Sequence, residues 1–511
     1  MEKKKYSKRF KIFLISVQII LLSAIAYFIY SPVFKPPVFT GKEKSIAVLP
    51  FIYAGADTTQ TYIADEITED IISKLYKAAD LKVTARNSVV RYKSNKRDML
   101  KIARELHVAS VLDGSVERSG DQLKINARLI DAGNGKIIMT RVYHRELKDL
   151  FNIQAELVES ITEGLNAGLT DDEKTVISKR PTQNLEAFNF YSQGRYFYYK
   201  RNDSAMRKGI ELYKKAIALD SNYSRAWSGL ADCYAALGYA SFESPAAAFL
   251  KSEEAAHKAL QLDSTLAEPH TSLGYIQFYY YWNWTAAETE FRKAISLNPQ
   301  YDMAYDAYGY YLTAMERFPE SRSVFGKAVQ LSPLSSLINT DVGFNLFYNK
   351  NYDQAMSSLG SALALNPKNA LAHIWLGRCF QEKKLYPQSI DEYQRALSIL
   401  PDWPVTLAAI AYVYGALGKK DEAEKILVKL KSLSASRYVT PYGIALVYAS
   451  MNEMDPCFEW LGKAYADRAN WLVWLKQDPR WDPIRNDKRY QELVSKIELP
   501  NNVEINAAQL K

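Results

Sequence analysis

The order of apolar and polar positions divides the chain into stretches of different period. Ile12 to Tyr30 is a run of 19 residues without a charge. As a helix rising about 1.5 Å per residue it would extend roughly 28 Å, close to the hydrocarbon thickness of a bilayer. Ser45-Ile-Ala-Val-Leu-Pro-Phe51 is apolar, β-prone and of strand length, closed by proline. From Tyr62 to Ala78 the apolar residues Ile63, Ile67, Ile71 and Leu75 recur four apart, the spacing of one helix face. A short strand is predicted over 81–85, a helix over 97–107 and a strand over 108–117. After the tight turn Ser119-Gly120-Asp121, residues 122–131 set Leu123, Ile125, Ala127 and Leu129 against polar neighbours, the alternation of a half-buried strand. Asp131-Ala-Gly-Asn-Gly135 turns the chain into a last strand over 136–145, and a helix over 149–169 leads out.

Downstream the period lengthens. Pro299, Pro333, Pro367 and Pro401 stand 34 residues apart, and Ala294, Ala328, Ala362 and Ala396 keep the same step. Gly309, Gly343 and Gly377 keep it too, with Gly274 one residue off, as do Phe291, Phe325, Leu359 and Tyr393. A 34-residue period with small, aromatic and proline landmarks in this order resembles the tetratricopeptide repeat, TPR. Each unit then reads as a helical hairpin. Small residues let its two helices approach, the aromatic fills the groove, and proline marks the next helix entry. Further units fit around His270–Pro299, around Trp227–Ser264 with a longer loop near Phe242–Pro245, and around Gly194–Ser221. Leu407–Ala435 and Tyr442–Ala464 fit two weaker ones, giving eight over 185–468. Residues 469–497, with Trp471, Trp474, Trp481 and Tyr490, carry no landmark spacing. They are expected to cover the open end of the stack, because terminal repeats need caps.

The segment ahead of the repeats carries a second resemblance. Its residues are Ile46-Ala-Val-Leu-Pro-Phe51, Ile63-Ala-Asp-Glu-Ile-Thr-Glu-Asp-Ile-Ile72, Ile102-Ala-Arg-Glu-Leu106, Val111-Leu-Asp-Gly-Ser-Val116 and Leu129-Ile-Asp-Ala132. In this order they resemble the TolB-like domain that lies between a membrane anchor and a TPR array in some bacterial adenylate cyclases and winged-helix regulators. The resemblance covers 45–168 and implies a small α/β domain with no catalytic residue to carry over. It departs at Glu66, where such proteins usually have glycine, and at Met139, where tryptophan is common. With eleven residues ahead of the apolar run, the cyclase or DNA-binding domain of those relatives is not expected.

Charge adds a direction. The net charge is +8, of which residues 1–11 hold +5 (six Lys and Arg against Glu2), leaving +3 for the rest. A nucleic-acid footprint would put basic charge on the folded part, so no nucleic-acid partner is expected. A basic tail ahead of an apolar run points inward. The expectation is therefore a cytoplasmic tail over 1–11 and a transmembrane helix over 12–30. A Pro-rich linker over 31–44 follows, with the bulk of the chain exported from the inner membrane. A signal peptide cleaved near Ala24-Ile25-Ala26 competes with this, although Tyr27 to Tyr30 continues the apolar run. Residues 498–511 are polar and read as a disordered tail.

The search for chemistry finds little. Cys233, Cys379 and Cys457 form no CxxC and read as buried apolar residues. His107, His144, His257, His270 and His373 show no metal-ligand spacing, and HExxH and GxSxG are absent. Gly133-Asn-Gly-Lys136 lacks phosphate-loop spacing and sits between two strands, so it reads as a hairpin turn. Asp65, Glu66, Glu69 and Asp70 read as a solvated helix start favoured by the helix dipole, with a cation site as the alternative.

The expected fold class is thus a small mixed α/β domain followed by an all-α TPR superhelix, with a single N-terminal transmembrane helix. No catalytic residue, cofactor or metal is expected. The expected function is a membrane-anchored TPR scaffold or receptor that holds a protein or peptide on its concave face. A ligand-sensing module of a signalling system and an unrecognised enzyme are the alternatives. The first helix of each hairpin lines that face. Aligned on the glycines, Tyr275, Tyr310 and Phe344 point into the groove, and Phe278, Tyr279, Phe347 and Tyr348 follow on the same face. Tyr412 is equivalent in the seventh repeat, while Arg378 and Glu382 make the sixth polar. Two readings stay open: an aromatic groove for a peptide, or rings that fill space between neighbouring helices.

Overall fold

The computed structural model describes residues 44–57, 60–78, 80–94 and 97–499. Among them no helix is long and apolar enough to cross a membrane. That finding overturns the expected single-pass placement in the inner membrane with an exported bulk. The run 12–30, on which the expectation rested, lies outside the described residues, as do the tail 1–11, most of the linker and residues 500–511.

The N-terminal domain is one mixed sheet built from β1 (Ser45–Val48), β2 (Ile52–Tyr53), β3 (Lys82–Val83), β4 (Ser110–Ser119), β5 (Gln122–Asp131) and β6 (Ile137–Glu146). The order is β3-β1-β4-β5-β6, with β2 alongside β4. β1 runs parallel to β3 and β4, whereas β4, β5 and β6 form an antiparallel meander. The alternation expected of β5 is present: Leu123, Ile125, Ala127 and Leu129 are all buried. Helices Thr61–Leu75 and Leu150–Gly164 cover the sheet with Ile63, Ile67, Ile71, Leu157 and Ile161. Asp131 Oδ1 accepts the N–H groups of Gly133 and Asn134, and Gly135 takes φ +71°, so this glycine-rich stretch is a strand-to-strand turn.

Behind the domain, eight helical hairpins follow among the described residues, from Leu185–Tyr198 with Asp203–Leu219 to Pro441–Ser450 with Met454–Ala466. The first six close because a bulky side chain of the second helix lies against a residue of the first that has no Cβ. A Cβ on Gly309 would come within 2.7 Å of the Phe325 ring, and one on Gly377 within 2.5 Å of the Tyr393 ring. Between the two helices the chain reverses through a residue of positive φ. These are Arg201 and Ser241 in the first two, then Trp282, Glu316, Lys350, Lys384, Gly418 and Asn452, the last six each 34 residues from the next.

The off-step glycine has a local cause. Seven residues separate Gly309, Gly343 and Gly377 from their positive-φ residues Glu316, Lys350 and Lys384, but eight separate Gly274 from Trp282. The extra residue is taken up by a π-helical turn over Gln277–Tyr281.

The superhelix returns on itself. Arg468 lies over the Trp282 ring at 4.3 Å, Tyr465 packs on Trp282 at 5.5 Å, and Trp284 Nε1 donates to the Glu498 carbonyl at 2.9 Å. The third hairpin thus meets the eighth. Gly343→Leu should test the packing register, since its Cβ alone would sit 2.6 Å from Leu359 Cγ. We expect a loss of about 1–3 kcal/mol in chemical denaturation, despite leucine's better helix propensity. An unfolding midpoint at or above that of the unaltered chain would show the register to be wrong.

Candidate functional site: an aromatic chamber

The closed superhelix surrounds a cavity of about 690 Å³. Its wall is built mostly from first helices: Tyr239, Tyr275, Asp306 and Tyr310, Asp341 and Phe344, and Trp375 come from five successive ones. The π-turn adds Tyr279. Two further pieces close the space. The long loop of the second hairpin carries Phe242, which stacks on Trp403 across the ring at 5.8 Å. The segment Asn470–Trp474 then enters from the C-terminal side. Asn470 Nδ2 donates to the Tyr239 carbonyl at 2.7 Å and Trp471 Nε1 to Ser241 Oγ at 3.1 Å. Trp474 lies 4.8 Å from Phe344, 5.0 Å from Tyr348 and 6.0 Å from Phe278.

Residues 469–497 therefore do two things. Trp481 and Tyr490 pack on the last hairpin through Tyr442, as an end cover would. The stretch before them fills part of the concave side. The eight aromatics singled out in sequence divide accordingly. Tyr275, Tyr279, Tyr310 and Phe344 line the cavity. Phe278 and Tyr348 are buried under Trp474, Phe347 packs on Tyr352 and Trp375, and the Tyr412 ring lies 6.0 Å from the Arg480 guanidinium. Arg378 is buried with its guanidinium over Trp375 at 4.2 Å and Trp471 at 4.9 Å.

The spacing argument missed the two carboxyls of the wall. Asp306 and Asp341 are 2% and 1% exposed and stand within hydrogen-bonding reach of each other. Tyr310 donates its hydroxyl to Asp341. Burial first, then repulsion by Asp341, raises Asp306 well above the carboxylate range; burial raises Asp341, opposed by the Tyr310 hydroxyl. A pair in that state keeps a proton where separate carboxylates would have lost it. The available signal was a carboxylate on each of two concave helix faces, Asp306 among tyrosines and Asp341 ahead of Gly343.

The N-terminal domain forms one side of the chamber through Arg86, Asn87 and Val90. It is held there by the acidic helix start, which is not solvated as expected. Glu69 pairs with Arg86 at 3.0 Å and Arg195 at 2.6 Å, and Asp70, 1% exposed, pairs with Arg225 at 2.9 Å. Further hydrogen bonds add to these: Asn87 Nδ2 to Asp302 at 2.9 Å, the Val83 N–H to Gln300 at 2.8 Å, and the Leu334 N–H to Ser88 Oγ at 2.9 Å. Glu66 sits 4% exposed in the same interface, and burial pushes its carboxyl up to about 8.

Comparison with known proteins follows this division. Residues 42–170 match the family model of the HilA/YgeH-like transcriptional regulator, second domain. Residues 346–409 and 406–437 match two tetratricopeptide repeat models. The chain carries TPR repeats and, ahead of them, a HilA-like regulator domain over the segment whose motifs resemble the TolB-like domain. It is 35% identical over 196 residues to "Putative adenylate cyclase 3" of Rhizobium meliloti (strain 1021), covering 38% of this chain and 33% of that one. The chain thus spans about a third of that relative's length. Among solved structures it is similar to the Cut9-Hcn1 hetero-tetramer of the APC/C (16% identity, 68% of this chain and 63% of that one, TM-score 0.45). It is also similar to PilF of Pseudomonas aeruginosa (20% identity, 42% and 94%, TM-score 0.32).

The Glu66 shift gives a sign to the interface. A carboxyl held protonated in the fold but free to ionise in the unfolded chain loses stability for the fold as pH rises from 4.5 towards 8. Thermal unfolding followed from acid to mildly basic pH should therefore fall more steeply in the unaltered chain than in Glu66→Gln. The difference in slope should reach up to about 1.4 kcal/mol per pH unit. Equal slopes would remove Glu66 as a buried, protonated group.

Proposed function

We propose that this chain is a non-catalytic binding protein whose TPR chamber receives a short segment of a protein partner. The observation that supports it is the unfilled aromatic cavity of about 690 Å³ on the concave side of the repeats, where only part of the groove is taken by the chain itself. With Trp403, Trp471 and Trp474 across the groove, the space suits a side chain or a chain end and not a long extended peptide. Exposed Val90 and Lys368 and half-buried Leu337 at its edge would meet the partner's surface.

A second reading is favoured by the regulator-type domain and by its share in the chamber wall. In that reading the domain, TolB-like in its sequence motifs, responds to what the chamber holds, and the protein is the sensing part of a regulatory system. Occupancy would then alter the Glu69 and Asp70 ion pairs, which hold the domain to the repeats. A nucleic-acid partner stays open in this reading, because the matched domain belongs to transcriptional regulators.

Leu337→Glu tests the main reading. Leu337 lines the cavity and is half-buried, so the new charge should leave the melting temperature nearly unchanged. Partners retained by the full chain in affinity purification should fall by about tenfold or more, the size expected from one charge placed in an apolar contact. Retention equal to that of the unaltered chain would move partner binding away from the chamber.

A further inference from the structure

The chamber wall holds one group that partner contact alone does not explain. Asp306 Oδ1 accepts no N–H or hydroxyl donor among the described residues, although the residue is 2% exposed, and the neighbour in hydrogen-bonding reach of its carboxyl is another carboxyl, Asp341. It lies on the cavity wall beside Asp341, whose carboxyl takes the Tyr310 hydroxyl. A buried carboxyl oxygen without a donor is costly, and native proteins rarely leave one so. The nearby cations are engaged elsewhere. Arg201 donates to the Tyr239 hydroxyl at 3.0 Å and lies over the Tyr198 ring. Lys93 holds Asp65 at 2.8 Å and Arg86 holds Glu69.

The same space is walled by the rings of Tyr275, Tyr279, Tyr310 and Phe344. A carboxyl pair inside aromatic walls is chemistry that selects a cation with N–H donors. The carboxyls take the hydrogen bonds and the rings attract the charge. An alcohol or sugar could donate to Asp306 Oδ1, but it would leave the pair's proton where it is. A cation can take that proton's place beside the two carboxyls.

We infer that the chamber binds a primary ammonium group at Asp306 and Asp341, presented by a free small amine or by a lysine side chain of a partner. This deepens the partner-binding reading and rests on the chamber being the ligand site. Because the pair holds a proton when empty, ammonium binding displaces it, and affinity rises with pH. The groups that face the pair are Arg201, Asp302, Tyr239, Tyr275, Tyr279 and Tyr310. Burial raises the tyrosines, which stay neutral, and Asp302 is held by Ser332 and Asn87.

The full chain can be titrated with phenethylamine, with its neutral counterpart 2-phenylethanol, and with the peptide acetyl-Ala-Lys-Ala-amide. The wall tryptophans Trp375, Trp403, Trp471 and Trp474 report binding by fluorescence. Calorimetry in two buffers of different ionisation enthalpy reads the proton. We expect saturable phenethylamine binding, about tenfold or more tighter than the alcohol, with proton release and an affinity that rises from about pH 6 to about pH 8. Asp306→Asn should lower the amine's affinity about tenfold and abolish the proton release. If that variant melts early, Asp341→Asn and the proton count of the unaltered chain decide instead. Peptide binding with the same Asp306 dependence assigns the ammonium to a partner's lysine; phenethylamine binding alone assigns it to a free amine. Equal binding of amine and alcohol, or no amine binding, overturns the inference. If amine binding is absent while Leu337→Glu still weakens partner capture, this inference falls and the partner reading stands. If amine binding depends on Asp306 while capture ignores Leu337→Glu, this inference stands and the partner reading falls.

Discussion

In six successive hairpins a ring or a leucine side chain occupies the place where a Cβ would project from a glycine, from Gly194 against Tyr213 to Gly377 against Tyr393. This contact fixes how closely the two helices of a hairpin approach, and with it the angle at which each hairpin stacks on the next. Repeated along the array, the same angle bends the stack until Trp282 and Trp284 meet Tyr465 and Glu498. The chamber is what that curvature encloses. A change in one glycine would therefore act on the cavity from a distance, through the path of the superhelix.

Charge does the second part of the assembly. The helix Thr61–Leu75 reads as an exposed acidic start, yet Glu69 and Asp70 meet the repeats, where Arg195 and Arg225 supply the opposite sign, and Glu66 is buried beside them. Losing one partner from such a pair would strand a buried charge, which is far more costly than losing a surface pair. The domain is thus fixed in one orientation, and that orientation puts Arg86, Asn87 and Val90 into the chamber wall.

What could be read in the sequence was what repeats or alternates. The 34-residue landmarks and the alternation in β5 are local patterns, and both are present in the fold. Contacts between residues far apart in the chain left no such trace. Of the positive-φ residues that turn these hairpins, only Gly418 and Asn452 are types that advertise the conformation; Trp282, Glu316, Lys350 and Lys384 are not. Tyr275, Tyr279, Tyr310 and Phe344 reach the cavity because a first-helix register says which face is concave, while Phe278 and Tyr348 are covered by a tryptophan almost two hundred and one hundred and thirty residues away, respectively. Asp306 and Asp341 are 35 residues apart, one off the step, so no landmark pairs them.

The return of the chain onto its own third hairpin changes how such an array can come apart. A linear stack of repeats contacts only nearest neighbours, so it can fray from either end without disturbing the middle. Here Asn470 is bonded to Tyr239 and Trp284 to Glu498, across more than two hundred residues in each case. An opening at the C-terminal side would expose rings of the second and third hairpins at once, and loss of the third hairpin would release the C-terminal stretch. A solenoid joined in this way is coupled across its length, and forming the join carries the entropy cost of closing that long loop. During synthesis the early hairpins would wait with their concave rings uncovered until Trp474 and Glu498 arrive, which gives the nascent chain a period of exposure that an open repeat array does not have.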